Sequence, residues 1–86
     1  MSRMAYSLVW SPTAQQSLSS LPKEISARIV KKAEAVVGNP HPFLERMVDY
    51  KIYKLRVGDY RAFIDIDEAK KELHVLNVKH RKNAYK

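Results

Sequence analysis

The fold is decided by one stretch of the chain, Tyr53-Lys54-Leu55-Arg56-Val57-Gly58-Asp59-Tyr60-Arg61-Ala62-Phe63-Ile64. Apolar and polar side chains alternate along both halves of this stretch, as is typical of half-buried β-strands. Gly58-Asp59 separates the halves and favours a type II′ or type I′ turn, because glycine readily adopts the positive φ that both turns need at their first position. The stretch therefore predicts an antiparallel β-hairpin.

A two-residue turn also determines which residues of the hairpin face one another. The predicted pairs are Val57 with Tyr60, Arg56 with Arg61, Leu55 with Ala62, and Lys54 with Phe63. One face is apolar and should receive the rest of the fold; it carries Tyr53, Leu55, Val57, Tyr60, Ala62 and Ile64. The opposite face gathers three cations, Lys54, Arg56 and Arg61.

The three cations indicate an anionic ligand, since like charges opposite each other destabilise a sheet by up to about 1 kcal/mol. A phosphate group would relieve the repulsion, and arginine forks match phosphate oxygens. Two alternatives stay open: Asp59 or Asp65 neutralises the cations, or water screens them.

The remaining sequence predicts two helices and two more strands around this hairpin. The predicted elements are a strand at Tyr6–Trp10, a short helix beginning at Ser11-Pro12, a longer helix at Pro22–Val37, a loop at Asn39–Tyr50, and strands at Tyr53–Val57, Tyr60–Ile66 and Glu72–Val78. We expect one α+β domain over residues 1–86, ordered β-α-α-β-β-β, in which a mostly antiparallel sheet carries a helical hairpin on one face.

The composition is that of a small basic domain. The 86 residues carry a net charge of +7, and residues 51–86 hold ten Lys/Arg against five Asp/Glu. Such a balance attracts polyanions, although a basic surface can also serve solubility alone. No apolar run approaches the roughly 20 residues of a membrane span, and no signal peptide is evident. We therefore expect a cytoplasmic protein that binds no membrane.

Metal chemistry is not indicated by the histidines. His41, His74 and His80 are scattered, and the chain has no cysteine. None of the three is accompanied by carboxylates at a metal-ligand spacing. We expect neither a metal nor a cofactor, and we expect His74 to be an ordinary strand residue.

The C-terminal segment adds a second group of cations directly after the last predicted strand. It contains Lys79-His80-Arg81-Lys82 and then Tyr85-Lys86. Cations that follow a phosphate backbone, with an aromatic side chain that stacks on a base, suit single-stranded RNA. The predicted RNA-binding residues are Lys51, Lys79, His80, Lys82 and Lys86.

Two segments of the chain resemble the RelE/ParE toxin superfamily, namely residues 53–61 and Leu76-Asn77-Val78-Lys79-His80-Arg81-Lys82-Asn83-Ala84-Tyr85. The start Trp10-Ser11-Pro12-Thr13-Ala14 and the helical hairpin match too, so the resemblance covers nearly the whole chain. It implies a toxin of a type II toxin–antitoxin pair. It also implies a small acidic RelB-like antitoxin as partner, in a toxin–antitoxin heterotetramer.

Members of the RelE branch cut mRNA in the ribosomal A site, and their active site is a basic set with a C-terminal tyrosine. The resemblance assigns this set to Lys54, Arg56, Arg61, Arg81 and Tyr85. ParE-type members generally lack the full set, so the sequence favours the RelE branch. It departs from the well-known bacterial type at Ile52, where a further lysine is usual.

These residues predict an endoribonuclease in which the RNA 2′-hydroxyl is the nucleophile and the product is a 2′,3′-cyclic phosphate. Lys54 is the expected base, because neighbouring cations favour its neutral form. Arg56 and Arg61 would hold the phosphate. Arg81 or His80 would act on the leaving oxygen.

Tyr85 would stack on a base and orient the 2′-hydroxyl for in-line attack. Three other functions remain open. The chain could be a ParE-like inhibitor of DNA gyrase without nuclease activity, or a basic RNA-binding module without catalysis. It could also be a plain α+β domain whose charge serves solubility.

Overall fold

The computed structural model describes residues 5–48 and 51–84 as a five-stranded sheet with helices on one face. The strand order is β1-β5-β4-β3-β2, parallel between β1 and β5 and antiparallel elsewhere. The elements are β1 (Ser7–Trp10), α1 (Pro12–Ser19), α2 (Lys23–Ala35), a 3₁₀ turn (His41–Phe43), β2 (Leu44–Arg46), β3 (Tyr53–Val57), β4 (Tyr60–Asp67), β5 (Glu72–His80) and α3 (Arg81–Ala84).

The central hairpin has the predicted register, including the Arg56–Arg61 and Lys54–Phe63 pairs. Gly58 has a φ of 59°, whereas Asp59 is not among the described residues with positive φ. Only a type II′ turn combines these two conformations. The sequence prediction of a two-residue turn is confirmed, and the structure decides between its two types.

The apolar face of the sheet packs against the helices, as the alternation predicted. The buried core consists of Ala14, Ile29, Ala33, Val36, Leu44, Leu55, Val57, Ala62, Ile64, Leu73, Val75 and Val78. Helix α2 contributes Ile29 and Ala33 to this core, and Val36 follows as its C-cap residue. Spacings of four and three residues are the amphipathic pattern expected of a surface helix.

Helix α1 begins as predicted and lies beside β5. The hydroxyl of Ser11 accepts a hydrogen bond from the backbone amide of Ala14 at 3.0 Å, which caps the helix. The same hydroxyl donates to the carbonyl of Leu76 at 2.8 Å. Leu76 is the extra residue of a β-bulge, because Phe63 pairs with Asn77 while Ile64 pairs with Val75.

Two parts of the chain differ from the prediction. Residues 39–48 are not simply a loop, because Leu44–Arg46 forms an edge strand on β3. A three-residue strand is too short to show an alternating pattern. Strand β5 also continues to His80 and is followed by helix α3. Within the described ranges, no helix has the length and apolar character needed to cross a membrane.

Candidate nucleic-acid interface

The sheet face turned away from α1 and α2, here called the open face, carries a row of three cations. Arg61 on β4 pairs with Arg56 on β3 and with Lys79 on β5. Within residues 5–48 and 51–84, no carboxylate lies within 4.0 Å of any of the three. The row therefore concentrates positive charge across three adjacent strands.

Arg61 occupies the centre of this row and is 2% exposed. Its Nη1 donates to the carbonyl of Gly58 at 3.0 Å and to the carbonyl of Tyr60 at 2.9 Å. Its Nε is buried and has no hydrogen-bond partner among the described residues. The guanidinium is thus a fixed charge tied to the hairpin turn, with one N–H that the turn does not satisfy.

Lys54 lies in the next row of the open face, between Glu45 on β2 and Phe63 on β4. Its Nζ is 4.0 Å from a carboxylate oxygen of Glu45, and its side chain is largely buried. Glu45 is an acid that the sequence alone did not place, since it depends on the edge strand. Asp65, one of the two acids in the alternative of neutralised cations, lies opposite His74 on β5, two rows away from Arg61.

Arg81 is brought to the hairpin turn by α3. Its backbone amide donates to the carbonyl of Asp59 at 2.7 Å, and its Nε lies 3.9 Å from Asp59 Oδ1. Asp59 is therefore next to Arg81 rather than next to the central row. The side chain of Arg81 remains more than half exposed.

The other predicted residues fall in different places. His80 pairs with Tyr60 on the helix side of the sheet, with the two rings 5.2 Å apart and edge to face. Its Nδ1 accepts a hydrogen bond from the backbone amide of Lys82 at 3.2 Å. Lys51 and Lys82 are exposed. The predictions for Tyr85 and Lys86 lie outside the described residues.

A set of metal-ligand side chains was not anticipated from the sequence. One ligand atom from each of Asp67, Glu72 and His74 lies within 4.8 Å of the others. His74 is a strand residue as predicted, and its Nε2 is 2.9 Å from Glu72 Oε1. Asp67 Oδ1 accepts a hydrogen bond from the backbone amide of Lys70 at 3.0 Å. In the sequence, the spacing of Glu72 and His74 by two residues could have indicated that they share one face of a strand. Asp67 could not have been assigned to the group, because it lies opposite Glu72 only through the pairing of β4 with β5.

A separate network centres on Glu68 in the β4–β5 connection. Glu68 Oε1 accepts a hydrogen bond from the Tyr6 hydroxyl at 2.7 Å, and Glu68 Oε2 is 3.0 Å from His41 Nε2. Lys71 Nζ lies 3.5 Å from Glu68 Oε1. The Tyr6 hydrogen bond holds the pKa of Glu68 below its ordinary value, and the same bond raises the pKa of Tyr6. This network links Tyr6, just before β1, to the 3₁₀ turn and to the β4–β5 connection, and it contains none of the described candidate catalytic residues.

The sequence matches the family described as the ParE toxin of type II toxin–antitoxin systems, parDE, over residues 8–85. The chain belongs to the RelE/ParE superfamily of toxins. The family resemblance seen in the sequence is therefore confirmed. No curated protein gives a significant match to the toxin.

Solved structures of this superfamily superimpose on the toxin over most of its length. The RelBE2 toxin–antitoxin complex of Mycobacterium tuberculosis has a chain that is 26% identical, with a TM-score of 0.84 over 90% of the toxin and 99% of that chain. The archaeal RelE–RelB complex of Pyrococcus horikoshii gives 23% identity and a TM-score of 0.75, over 93% and 99% of the two chains. A chain of the ParDE system of Pseudomonas aeruginosa is 15% identical, with a TM-score of 0.73 over 90% of the toxin and 97% of that chain. The last two show the fold alone.

Proposed function

We propose that the toxin is a RelE-type endoribonuclease that cleaves mRNA in the ribosomal A site and so stops translation in the cytoplasm. The observation that carries the proposal is the cationic row Arg56–Arg61–Lys79, with Lys54 in the adjacent row of the open face. Cations concentrated in this way suit the phosphate backbone of an RNA substrate.

The proposed reaction is an in-line displacement within the RNA. The 2′-oxygen attacks the phosphorus, the bond to the 5′-oxygen breaks, and the products are a 2′,3′-cyclic phosphate and a 5′-hydroxyl. Lys54 takes the proton of the 2′-hydroxyl. Arg56 and Arg61 stabilise the charge that develops on the phosphorane, and fixed charges do so without reorganisation.

Arg81 stabilises the leaving 5′-oxygen, which takes its proton from solvent. Its position at the Asp59 carbonyl supports this role over His80, because His80 lies on the helix side of the sheet. The role of Tyr85 in stacking on a base rests on the family resemblance.

The test is an in vitro translation reaction programmed with a defined mRNA and followed by primer extension. We expect cleavage at a fixed place within the A-site codon. Arg61→Ala and Arg81→Ala should each abolish it, with folding checked by circular dichroism. Intact mRNA in a reaction that wild-type toxin has arrested would sink the proposal.

Inhibition of DNA gyrase is the second candidate, because the matching family is the ParE toxin and the P. aeruginosa ParDE chain has the same fold. A supercoiling assay with purified gyrase separates the two. Loss of supercoiling with mRNA left uncut would assign the toxin to the ParE branch. RNA binding with neither activity would leave a non-catalytic module.

We also propose an acidic antitoxin as partner, in a heterotetramer with the toxin. The RelBE2 and RelE–RelB structures are complexes of toxin with antitoxin. The net charge of +7 favours an acidic partner. Co-expression with the product of the adjacent reading frame, followed by affinity purification and determination of the mass in solution, tests both the partner and the stoichiometry.

A further inference from the structure

The centre of the open face holds an aromatic side chain, Phe63, that the proposed reaction does not use. Phe63 lies between Lys54 on β3 and Asn77 on β5, in the row next to the cationic row. It follows Arg61 by two residues and therefore shares its face. The side chain is only partly buried, although the neighbouring Ala62 and Ile64 fill the core on the other side.

The side chain of Asn77, which lies opposite Phe63 on β5, is directed towards α1. Its Oδ1 accepts hydrogen bonds from the Ser17 hydroxyl and from the backbone amide of Val78, each at 2.8 Å. Phe63 is therefore the side chain of this row that the structure leaves for contact with a ligand beside Lys54.

The charges on either side of this row differ in sign. Arg56, Arg61 and Lys79 lie on one side. On the other side, the next row places Asp65 opposite His74, and the row after that places Asp67 opposite Glu72. Rows on one face of a sheet are about 7 Å apart. A nucleotide carries its phosphate at one end and its base at the other, so this gradient orients it with the base towards Phe63.

We propose that Phe63 forms a nucleobase subsite next to the phosphate-binding row, in which its ring stacks on a base. The inference rests on the proposed function in one respect, that the ligand is a single RNA strand. It adds a base-binding group to a surface otherwise suited to phosphate alone.

The experiment compares the binding of two short single-stranded RNAs that differ only in whether they carry bases. Fluorescence anisotropy at low salt gives both dissociation constants, and their ratio removes the phosphate contribution. We expect wild-type toxin to bind intact RNA about tenfold more tightly than the abasic strand. Phe63→Leu should remove most of this preference, and Phe63→Tyr should keep it.

The matched control is Phe43→Leu, which makes the same change at the only other phenylalanine. Phe43 is half exposed on the 3₁₀ turn, outside the open face, so the preference should be unchanged.

Two results would overturn the inference: equal binding of both RNAs by wild-type toxin, or an undiminished preference in Phe63→Leu. The same preparations are assayed for cleavage on the ribosome. Cleavage without a preference for bases contradicts the subsite and leaves the nuclease standing. A preference for bases without cleavage supports the subsite and contradicts the nuclease.

Discussion

Arg81 and Asp59 are joined twice, through the Arg81 amide to the Asp59 carbonyl at 2.7 Å and through an ion pair of 3.9 Å between their side chains. The carbonyls on either side, those of Gly58 and Tyr60, accept from Arg61. The hairpin turn thus positions two of the candidate catalytic arginines through its own backbone. An altered turn should therefore affect the site as well as the fold.

Gly58→Ala should destabilise the toxin by about 1–2 kcal/mol, because a β-carbon at a φ of 59° is strained. A crowding effect is not expected, since the nearest atom to that β-carbon would be Arg28 Nη1 at 4.0 Å. Urea unfolding measures the change. Gly38→Ala is the control, as nothing lies within 4 Å of its β-carbon and no positive φ is required. Equal stability of both variants would contradict the assigned role of Gly58.

Arg61→Lys should cost about 1–3 kcal/mol of stability even though the charge is kept, because a buried cation loses its hydrogen bonds to two backbone carbonyls. The lysine ammonium does not reproduce the geometry of Nη1 between the carbonyls of Gly58 and Tyr60. Arg56→Lys, at the exposed position directly opposite, should stay within about 0.5 kcal/mol of wild type. Urea unfolding compares the two, and a cost shared equally by both would show that the turn contacts add nothing.

Lys79→Gln should weaken the salt dependence of RNA binding. For single strands the slope of log K against log salt changes by about 0.7 for each phosphate contact. A titration series with a short RNA should therefore show a slope shallower by about 0.7 in this variant. Lys31→Gln removes the same charge from helix α2 and should leave the slope unchanged. Identical slopes for the two variants would place the phosphate backbone elsewhere.

Glu68→Gln should destabilise the toxin at neutral pH but not in acid. Hydrogen bonding from Tyr6 lowers the pKa of folded Glu68 below its ordinary value of 4.5. The resulting stabilisation is complete above the unfolded value and is lost as the pH falls through the folded value. Melting temperatures of wild type and variant should therefore begin to converge below about pH 4.5, and they should meet only once the pH is below the lowered pKa of folded Glu68.

Glu34→Gln serves as the control for this titration, because Glu34 is exposed on α2 and lies outside the Glu68 network. Its melting curve should parallel that of wild type at every pH. A gap between wild type and Glu68→Gln that persisted in acid would show that the network acts through packing rather than ionisation.

Local patterns in the sequence determined the central hairpin, the capped start of α1 and the apolar face of the sheet. Each depends on neighbouring residues only: Gly58 on its own φ, Ser11 on the amide of Ala14, and strand faces on a period of two. The family could be named from the same stretches because its motif lies on the hairpin and on the following strand.

Other features needed the folded chain. The β2 strand is three residues long and exists only by pairing with β3, so Glu45 beside Lys54 was not foreseeable. Alternation placed Arg61 on the open face, but its burial depends on its bonds to the turn carbonyls. The Asp67–Glu72–His74 group and the row Lys54–Phe63–Asn77 each require two or more strands.

The sequence by itself determined the fold class and which cations share the open face of the β3–β4 hairpin, because strand alternation and a two-residue turn are local properties. Only the tertiary structure decided how these cations are held: Arg61 locked to the turn, Arg81 anchored at Asp59, and His80 turned towards the helices. The physical reason is that those contacts join residues from different elements, and the packing of the elements determines which side chains meet.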